Sequence, residues 1–366
     1  MPDPRVSNLA KLLVEYSVSI KKGDEVLIRA GIDALPLVRE LYREIVSRGG
    51  YPHLEINDGA LQEAFYRYAT DDVLKHLSPI DEYIMEHVNA TISIVSNNHT
   101  KPLIGIEPGK LRMRQAASAK LTEIFMRRQS TGDLRWTVSI YPTYALAQEA
   151  GMGPIEYEDF AYRACMVDKE DPVAEWRKQA ENQEAVIKLL SKVDELRVVA
   201  GETDLTLKVG GRTWINDDGK HNMPGGEVFS APVEDAVDGV VKFDYPAVWR
   251  GIEVEGVRFK FRRGEVVEVS AEKGEEKLKE IIRTDDGAKR LGEVAFGLNY
   301  NITRGTKQIL FDEKIGGTMH MALGAAYPET GGKNKSAIHW DFVLDLKKGK
   351  VYGDGDLIYE NGRFLL

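Results

Sequence analysis

Near its C-terminal end the chain reads HMALGAAYPETGGKNKSAIHWDF, from His320 to Phe342, a stretch that holds two of only seven histidines. His339 and Asp341 form the most telling pair. AIHWDFVLDL has strand composition, and in a strand residues i and i+2 project from one face. Imidazole and carboxylate would therefore point the same way, which is the donor set a borderline divalent cation such as Zn²⁺, Co²⁺ or Mn²⁺ requires. Taken alone, the same pair could be a His/Asp bridge on a solvated face. Trp340 and Phe342 alternate with it, however, so the opposite face should be buried and the strand well fixed.

Three further groups have similar surroundings. His320, in GGTMHMALG, is flanked by Met319 and Met321, with glycines nearby that leave room for another group to approach. Glu293 sits in LGEVAFG among small and apolar residues, where a carboxylate costs several kcal/mol unless a cation or donor satisfies it. Glu227 follows a Pro-Gly-Gly turn in NMPGGEVFSAP and could also serve simply as a turn cap. Two imidazoles and three carboxylates exceed the usual three protein ligands of one catalytic zinc, and they suit a pair of divalent cations about 3.5–4 Å apart that share a carboxylate. Such a pair suits amide hydrolysis. Tyr327 is then a candidate donor to the developing oxyanion, although a packed aromatic fits its spacing equally well. Lys333 and Lys335 could meet a peptide carboxylate but read more simply as solvated loop residues, and His221 as a neighbouring or solvent-facing group.

Other routes to hydrolysis lack their motifs. The chain has no H-E-x-x-H helix and no G-x-S-x-G elbow. Its single cysteine, Cys165 in YRACMVD, reads as a buried thiol and excludes an internal disulfide. Neither a G-x-G-x-x-G turn nor a G-x-x-x-x-G-K-[ST] loop occurs, so no nucleotide cofactor is expected.

The elements that must position these groups differ between the two halves. DEVLIRA (24–30), LPLVRELYREIVSRGG (35–50) and YPHLEIN (51–57) read as strand, helix and strand. The alternation continues with a helix over 61–77, a strand over 90–96, a long helix over 109–129 and a strand over 134–142. It predicts an α/β N-terminal domain, residues 1–185, with a parallel sheet covered by helices on both faces. A polar helical stretch over 170–194 divides the chain. Beyond it, LRVVAGETDLTLKVGGRTWIND, with its Gly-Gly turn, and VRFKFRRGEVVEVSAE read as strands and hairpins. Residues 186–366 are thus predicted to form a mainly antiparallel α+β catalytic C-terminal domain with one clear helix, over 275–285.

Bulk properties agree with a globular enzyme. With 366 residues, 43% of them hydrophobic, and a net charge of −9, the chain can bury a full core and offers no basic field for nucleic acid or an anionic membrane. The opening MPDPRVSNLAKLLVEYSVSI lacks a charged-then-apolar leader, and no run reaches the roughly eighteen apolar residues of a membrane span. The expectation is a cytoplasmic protein with neither nucleic-acid nor membrane partners.

Four motifs, NMPGGEVFSAPVEDAVDG, LGEVAFGLN, GTMHMALGAAY and IHWDFV, occurring in that order behind LLVEYSVSIKKGDEVLIRA, make the chain resemble the thermophilic metallo-aminopeptidases of the aminopeptidase T, AmpS and PepS type. The resemblance covers nearly the whole chain. It implies a homodimeric exopeptidase that holds two divalent metal ions per subunit and removes N-terminal residues from peptides with a free N-terminus. By the same resemblance Glu227, Glu293, His320, His339 and Asp341 are the metal ligands and Tyr327 is the active-site tyrosine. One glutamate could double as proton shuttle, Glu293 among the candidates, and the sequence leaves open which. PETGGKNKSAI, between Tyr327 and His339, is shorter than in bacterial relatives, which leaves substrate preference open. The residues alone also admit another dinuclear amidohydrolase, a carboxypeptidase, or a non-catalytic metal-binding scaffold.

Overall fold

The computed structural model describes residues 3–366, which divide into two compact units. One comprises the residues up to Val173 together with Gly219–Met223, the other Ala174–Asp218 and Pro224–Leu366.

The first unit is built on a five-stranded parallel sheet, shared by β1 (Glu25–Gly31), β2 (Tyr51–Asn57), β3 (Ala90–Val95), β4 (Arg135–Ile140) and the short strand Asn222–Met223. Its order is β2-β1-β3-β4 followed by that short strand, with every pairing parallel. Helices supply the connections, as parallel pairing demands. The helix Leu35–Ser47 buries Leu37, Val38, Leu41 and Ile45, a helical stripe that turns its apolar side inward. Two of the expected helices are in fact broken. The span 61–77 resolves into Gly59–Tyr68 and Asp71–Lys75, because Ala69 leaves the helical region (ψ 133°). The span 109–129 becomes Pro108–Ala117 and Ala119–Ser130, parted at Ser118.

The second unit is antiparallel throughout its named strands, in two larger sheets that share one core and a two-stranded ribbon of Ala247–Trp249 with Ile252–Val254. One sheet runs through β5 (Ile215–Asp217), β6 (Glu227–Ser230), β7 (Leu291–Gly297), β8 (Thr318–Gly324) and β9 (His339–Asp345), in the spatial order β9-β8-β7-β6-β5. The long connection from β6 to β7 contributes Val237–Lys242, Arg258–Arg262 and Glu265–Ser270 to an eight-stranded sheet. The first hairpin of that sheet, Glu195–Ala200 to Thr203–Lys208, turns at Gly201, and the expected turn at Gly210–Gly211 forms too but leads out of that sheet to β5 instead of closing a hairpin. Beside the helix Glu275–Ile281, the short helix Ile309–Asp312 also forms, ahead of β8.

Alternation along β6 to β9 produces two contrasting faces. Val228, Val294, Phe296, Met319, Met321, Leu323, Trp340, Phe342 and Leu344 point into the shared core with Val198, Leu205, Val241 and Phe259. Phe342 packs on Phe243 and Phe259, with ring centroids 5.4 and 5.1 Å apart. Burying a set of large apolar side chains at about 1.5–3 kcal/mol each anchors this face firmly. The residues between them must then all project from the opposite face.

Candidate metal centre

That opposite face carries the polar groups picked out from the sequence. Across the sheet Glu293 pairs with Ala322 and Ala322 with Asp341, so the two carboxylates flank one alanine in a single row. One row along, Ala295, His320 and Val343 are paired, and at the strand ends Gly324 pairs with His339. On the other side Gly297 pairs with Glu227, and Glu227 with Asp217. Ala295, Gly297, Ala322 and Gly324 are the spacers, and their small size is what lets side chains from five strands meet above the sheet.

Two glycines make the local geometry possible. At Gly292 the register of β7 against β8 shifts, and an added Cβ would stand 2.3 Å from the Ala325 carbonyl oxygen. Gly226, just before Glu227, holds φ at +112° and presses against Asn299, where a Cβ would clash at 2.6 Å. Such a conformation and such proximity suit glycine alone.

Glu293 lies between the two histidines. Its Oε1 is 3.1 Å from His320 Nε2 and its Oε2 is 3.2 Å from His339 Nε2. His320 Nε2 is also 3.3 Å from Glu227 Oε2, and His339 Nε2 is 3.5 Å from Asp341 Oδ1. The Nδ1 of His339 donates to the Ala325 carbonyl at 2.8 Å, which leaves Nε2 as the atom turned toward the carboxylates. Three sets of groups bring one ligand atom each within 4.8 Å of one another: Glu227, Glu293 and His320; Glu293, His339 and Asp341; Glu313, His320 and Asp341. Each pair of sets shares one residue.

All five expected ligands therefore converge, and three further residues join them that the sequence reading passed over. Glu313 and Lys314 follow the short helix in FDEKIGG, and Asp217 closes β5. Lys314 is wholly buried, with Nζ 3.4 Å from both Glu227 Oε1 and Asp217 Oδ2 and in contact with Glu313 Oε1. A charged tripeptide before Gly-Gly looks like any solvated turn.

The electrostatics follow from crowding charge where water is scarce. Burial by itself would lower His320, yet Glu227, Glu293 and Asp341 outweigh it and lift the imidazole to about 9. His339 is likewise raised, against burial, by Asp341 and Glu293. Glu293 is the counterpart: burial pushes it up, but the two histidines together bring it down to about 2. Burial drives Glu227 and Glu313 upward despite Lys314. Lys314 resists burial because Glu227, Glu313 and Asp217 hold its ammonium charged.

A metal fits this donor set. Glu227 Oε2 and His320 Nδ1 are buried without a hydrogen-bond partner, and the surrounding excess of carboxylates calls for positive charge. Tyr327 stands beside it, its ring 5.0 Å from His339 and 5.6 Å from Phe229. Part of the residue meets solvent, but the crowding around its ring, reinforced by Glu293 and Asp341, raises its phenol and keeps the proton on it. The segment after Tyr327 is tied down along its length. Thr213 N donates to the Thr330 carbonyl, Arg212 to Gly331, Lys333 N to Glu234, and Ser336 Oγ and Ala337 N to Asp285. The side chains of Lys333 and Lys335 are exposed. His221 belongs to the first unit, where it stacks on Trp136 at 4.5 Å, and is not one of the clustered groups. Cys165 is buried and its thiol pushed up by burial, so it is inert.

The profile of the thermophilic metalloproteases (M29) matches residues 3–364. The chain belongs to the M29 thermophilic metalloprotease family. As an M29 protein it is a hydrolase, and it is similar over nearly its whole length to several curated members. It is 28% identical to aminopeptidase AmpS of Bacillus subtilis, covering 98% of both chains. To aminopeptidase T of Thermus thermophilus it is 29% identical, covering 98% of this chain and 95% of that one. The solved structure of wild-type AmpT from Thermus thermophilus superposes with a TM-score of 0.86 at 27% identity, covering 99% of each chain. Among the described residues of this M29 chain no helix is long and apolar enough to cross a membrane.

Proposed function

We propose that this protein is a dinuclear metal aminopeptidase that releases N-terminal residues from peptides with a free α-amino group. The observation that carries the reading is the divided carboxylate of Glu293, one oxygen beside His320 and the other beside His339. Such a division suits two cations that share one carboxylate. Charge supports the number. Asp217, Glu227, Glu293, Glu313 and Asp341 bring five carboxylates into one region, and Lys314 contributes a single ammonium. Without metal the raised histidines offset part of that charge; with both imidazoles neutral, as ligation requires, four net negative charges remain, and two divalent ions cancel them. Zn²⁺, Co²⁺ and Mn²⁺ all suit nitrogen and carboxylate ligands. The names of the relatives support the substrate class.

In this reading Glu227, Glu293 and His320 hold one ion, and Glu293, His339 and Asp341 the other. When bound, the ions would polarise the scissile carbonyl, lower the pKa of the attacking water and receive the substrate's amino group. The chain's own groups do the rest. The Ala325 carbonyl keeps His339 in the tautomer that presents Nε2. Tyr327, still protonated, donates to the oxygen that gains charge. The proton released by the water needs a carboxylate oxygen that no ion holds, and Glu293 could relay it only by freeing one of its two oxygens.

The test is to assay aminoacyl reporter substrates before chelation, after chelation and after re-addition of Zn²⁺, Co²⁺ or Mn²⁺, with bound metal counted alongside. Recovery of activity at two ions per chain is expected. Equal cleavage of N-acetylated peptides would instead favour another amidohydrolase or a carboxypeptidase, and metal uptake without turnover a binding scaffold. Sedimentation velocity tests the expected homodimer.

A further inference from the structure

The mechanism above leaves one buried charge unused. Lys314 is fully buried, and an ammonium withdrawn from water is tolerated only when paired. Its backbone is fixed on both sides, N–H to the Phe311 carbonyl and C=O accepting from Asn299 N, both at 3.0 Å. Nζ reaches three carboxylates, and they differ in kind: Glu227 and Glu313 each belong to a set able to hold a metal, whereas Asp217 belongs to none. Lys314 Nζ faces Oε1 of Glu227 at 3.4 Å, while Oε2, buried and without a hydrogen bond, is the oxygen 3.3 Å from His320 Nε2. The strand ends are steadied as well, because Gln183 Nε2 donates to the backbone carbonyls of Asp217 and Glu227 at 3.1 and 2.8 Å.

We propose that Lys314 is a positioning residue of the metal centre: it takes one oxygen of Glu227, so that only the other faces the ions, and it holds Glu313 alongside. It is a cation built into the chain that orders the carboxylates before metal arrives. The inference rests on the dinuclear reading. A simple counter-ion would need only to be positive, whereas a positioning residue must act through Glu227, and the two can be separated.

Metal-free parent, Lys314→Met and the charge-balanced Asp217→Asn/Lys314→Met would each be titrated with Mn²⁺ by calorimetry, with unfolding temperatures recorded in EDTA. The expected result is that both variants bind Mn²⁺ about 10- to 100-fold more weakly than the parent. Parent-like affinity in Lys314→Met overturns the inference, even if its unfolding temperature in EDTA falls, since that is what a merely structural lysine would show. Recovery of parental affinity in the double variant also overturns it, by reducing the role to charge balance. Should Lys314→Met not fold, the double variant decides on the same two outcomes. Failure of the dinuclear reading is visible separately, as fewer than two Mn²⁺ in the parent itself, and the inference falls with it.

Discussion

Glu293 touches both histidines, Oε1 at 3.1 Å from His320 and Oε2 at 3.2 Å from His339. Replacing it with Gln leaves the shape but gives one side of the pair an amide nitrogen in place of a ligand oxygen. Glu293→Gln is therefore expected to lose both ions together and to lower kcat by about 10³-fold or more. Metal counted per chain after gel filtration checks this; loss of a single ion would argue that the carboxylate is not shared.

Tyr327 and His339 stand with rings 5.0 Å apart but have different tasks. Tyr327→Phe should keep both ions and reduce kcat by about 10²–10³-fold with little change in KM, as removal of one oxyanion donor does. His339→Ala should lose metal and activity together. Steady-state kinetics beside metal analysis separates the two, and a Tyr327→Phe enzyme as fast as the parent would end the oxyanion role.

Gly292 leaves no room for a side chain, since a Cβ would meet the Ala325 carbonyl oxygen at 2.3 Å. That carbonyl is the acceptor for His339 Nδ1. Gly292→Ala should push it away, weakening metal binding by about 10- to 100-fold through a residue that is no ligand. Calorimetric titration with Mn²⁺ provides the measurement, and unchanged affinity would show that the carbonyl does not govern the ring.

Asp285 accepts from Ser336 Oγ, Ala337 N and Ala288 N, so it fastens the end of the segment that connects Tyr327 to His339. Asp285→Ala is expected to cost about 1 kcal/mol and to open the segment to proteolysis while two ions stay bound. Limited digestion followed by mass spectrometry would locate the cuts, and protection equal to the parent would contradict the pinning.

Glu253 carries the clearest acid dependence of stability outside the centre. Burial would raise its carboxyl, but hydrogen bonds from Lys273 and Lys307 take it from 4.5 down to about 2. Because the folded pKa is depressed, the stabilisation is complete above about pH 4.5 and disappears as pH falls toward 2. Glu253→Gln should lower stability by about 1 kcal/mol near neutrality and by progressively less toward pH 2. Urea unfolding across that range tests it; a deficit that stays constant with pH would refute the assignment.

What could be read from the sequence is what repeats or alternates. The strand-helix alternation before residue 142 specified a parallel sheet, because each apolar run fits only one period, and Trp340 and Phe342 around His339 and Asp341 announced one buried and one functional face. His320 between two methionines followed the same rule. That its strand pairs directly with the His339 strand was not legible, since alternation gives a side chain its face but not its partner strand. Helix breaks at Ala69, which turns extended, and at Ser118, which keeps helical φ and ψ, escaped notice, because a break at one residue hardly disturbs a periodic pattern.

Only the tertiary structure could bring in Asp217, Glu313 and Lys314. They are polar residues at strand ends and turns, where composition looks the same whether water or other charges surround them. Their burial arises from long-range pairing, β5 against β6 and the FDEKIGG turn folded over Glu227, and no local pattern records it. The sequence thus determined the kinds of donor group and the face that carries them. The fold decided how many charges share the space, the count on which the proposed pair of cations rests.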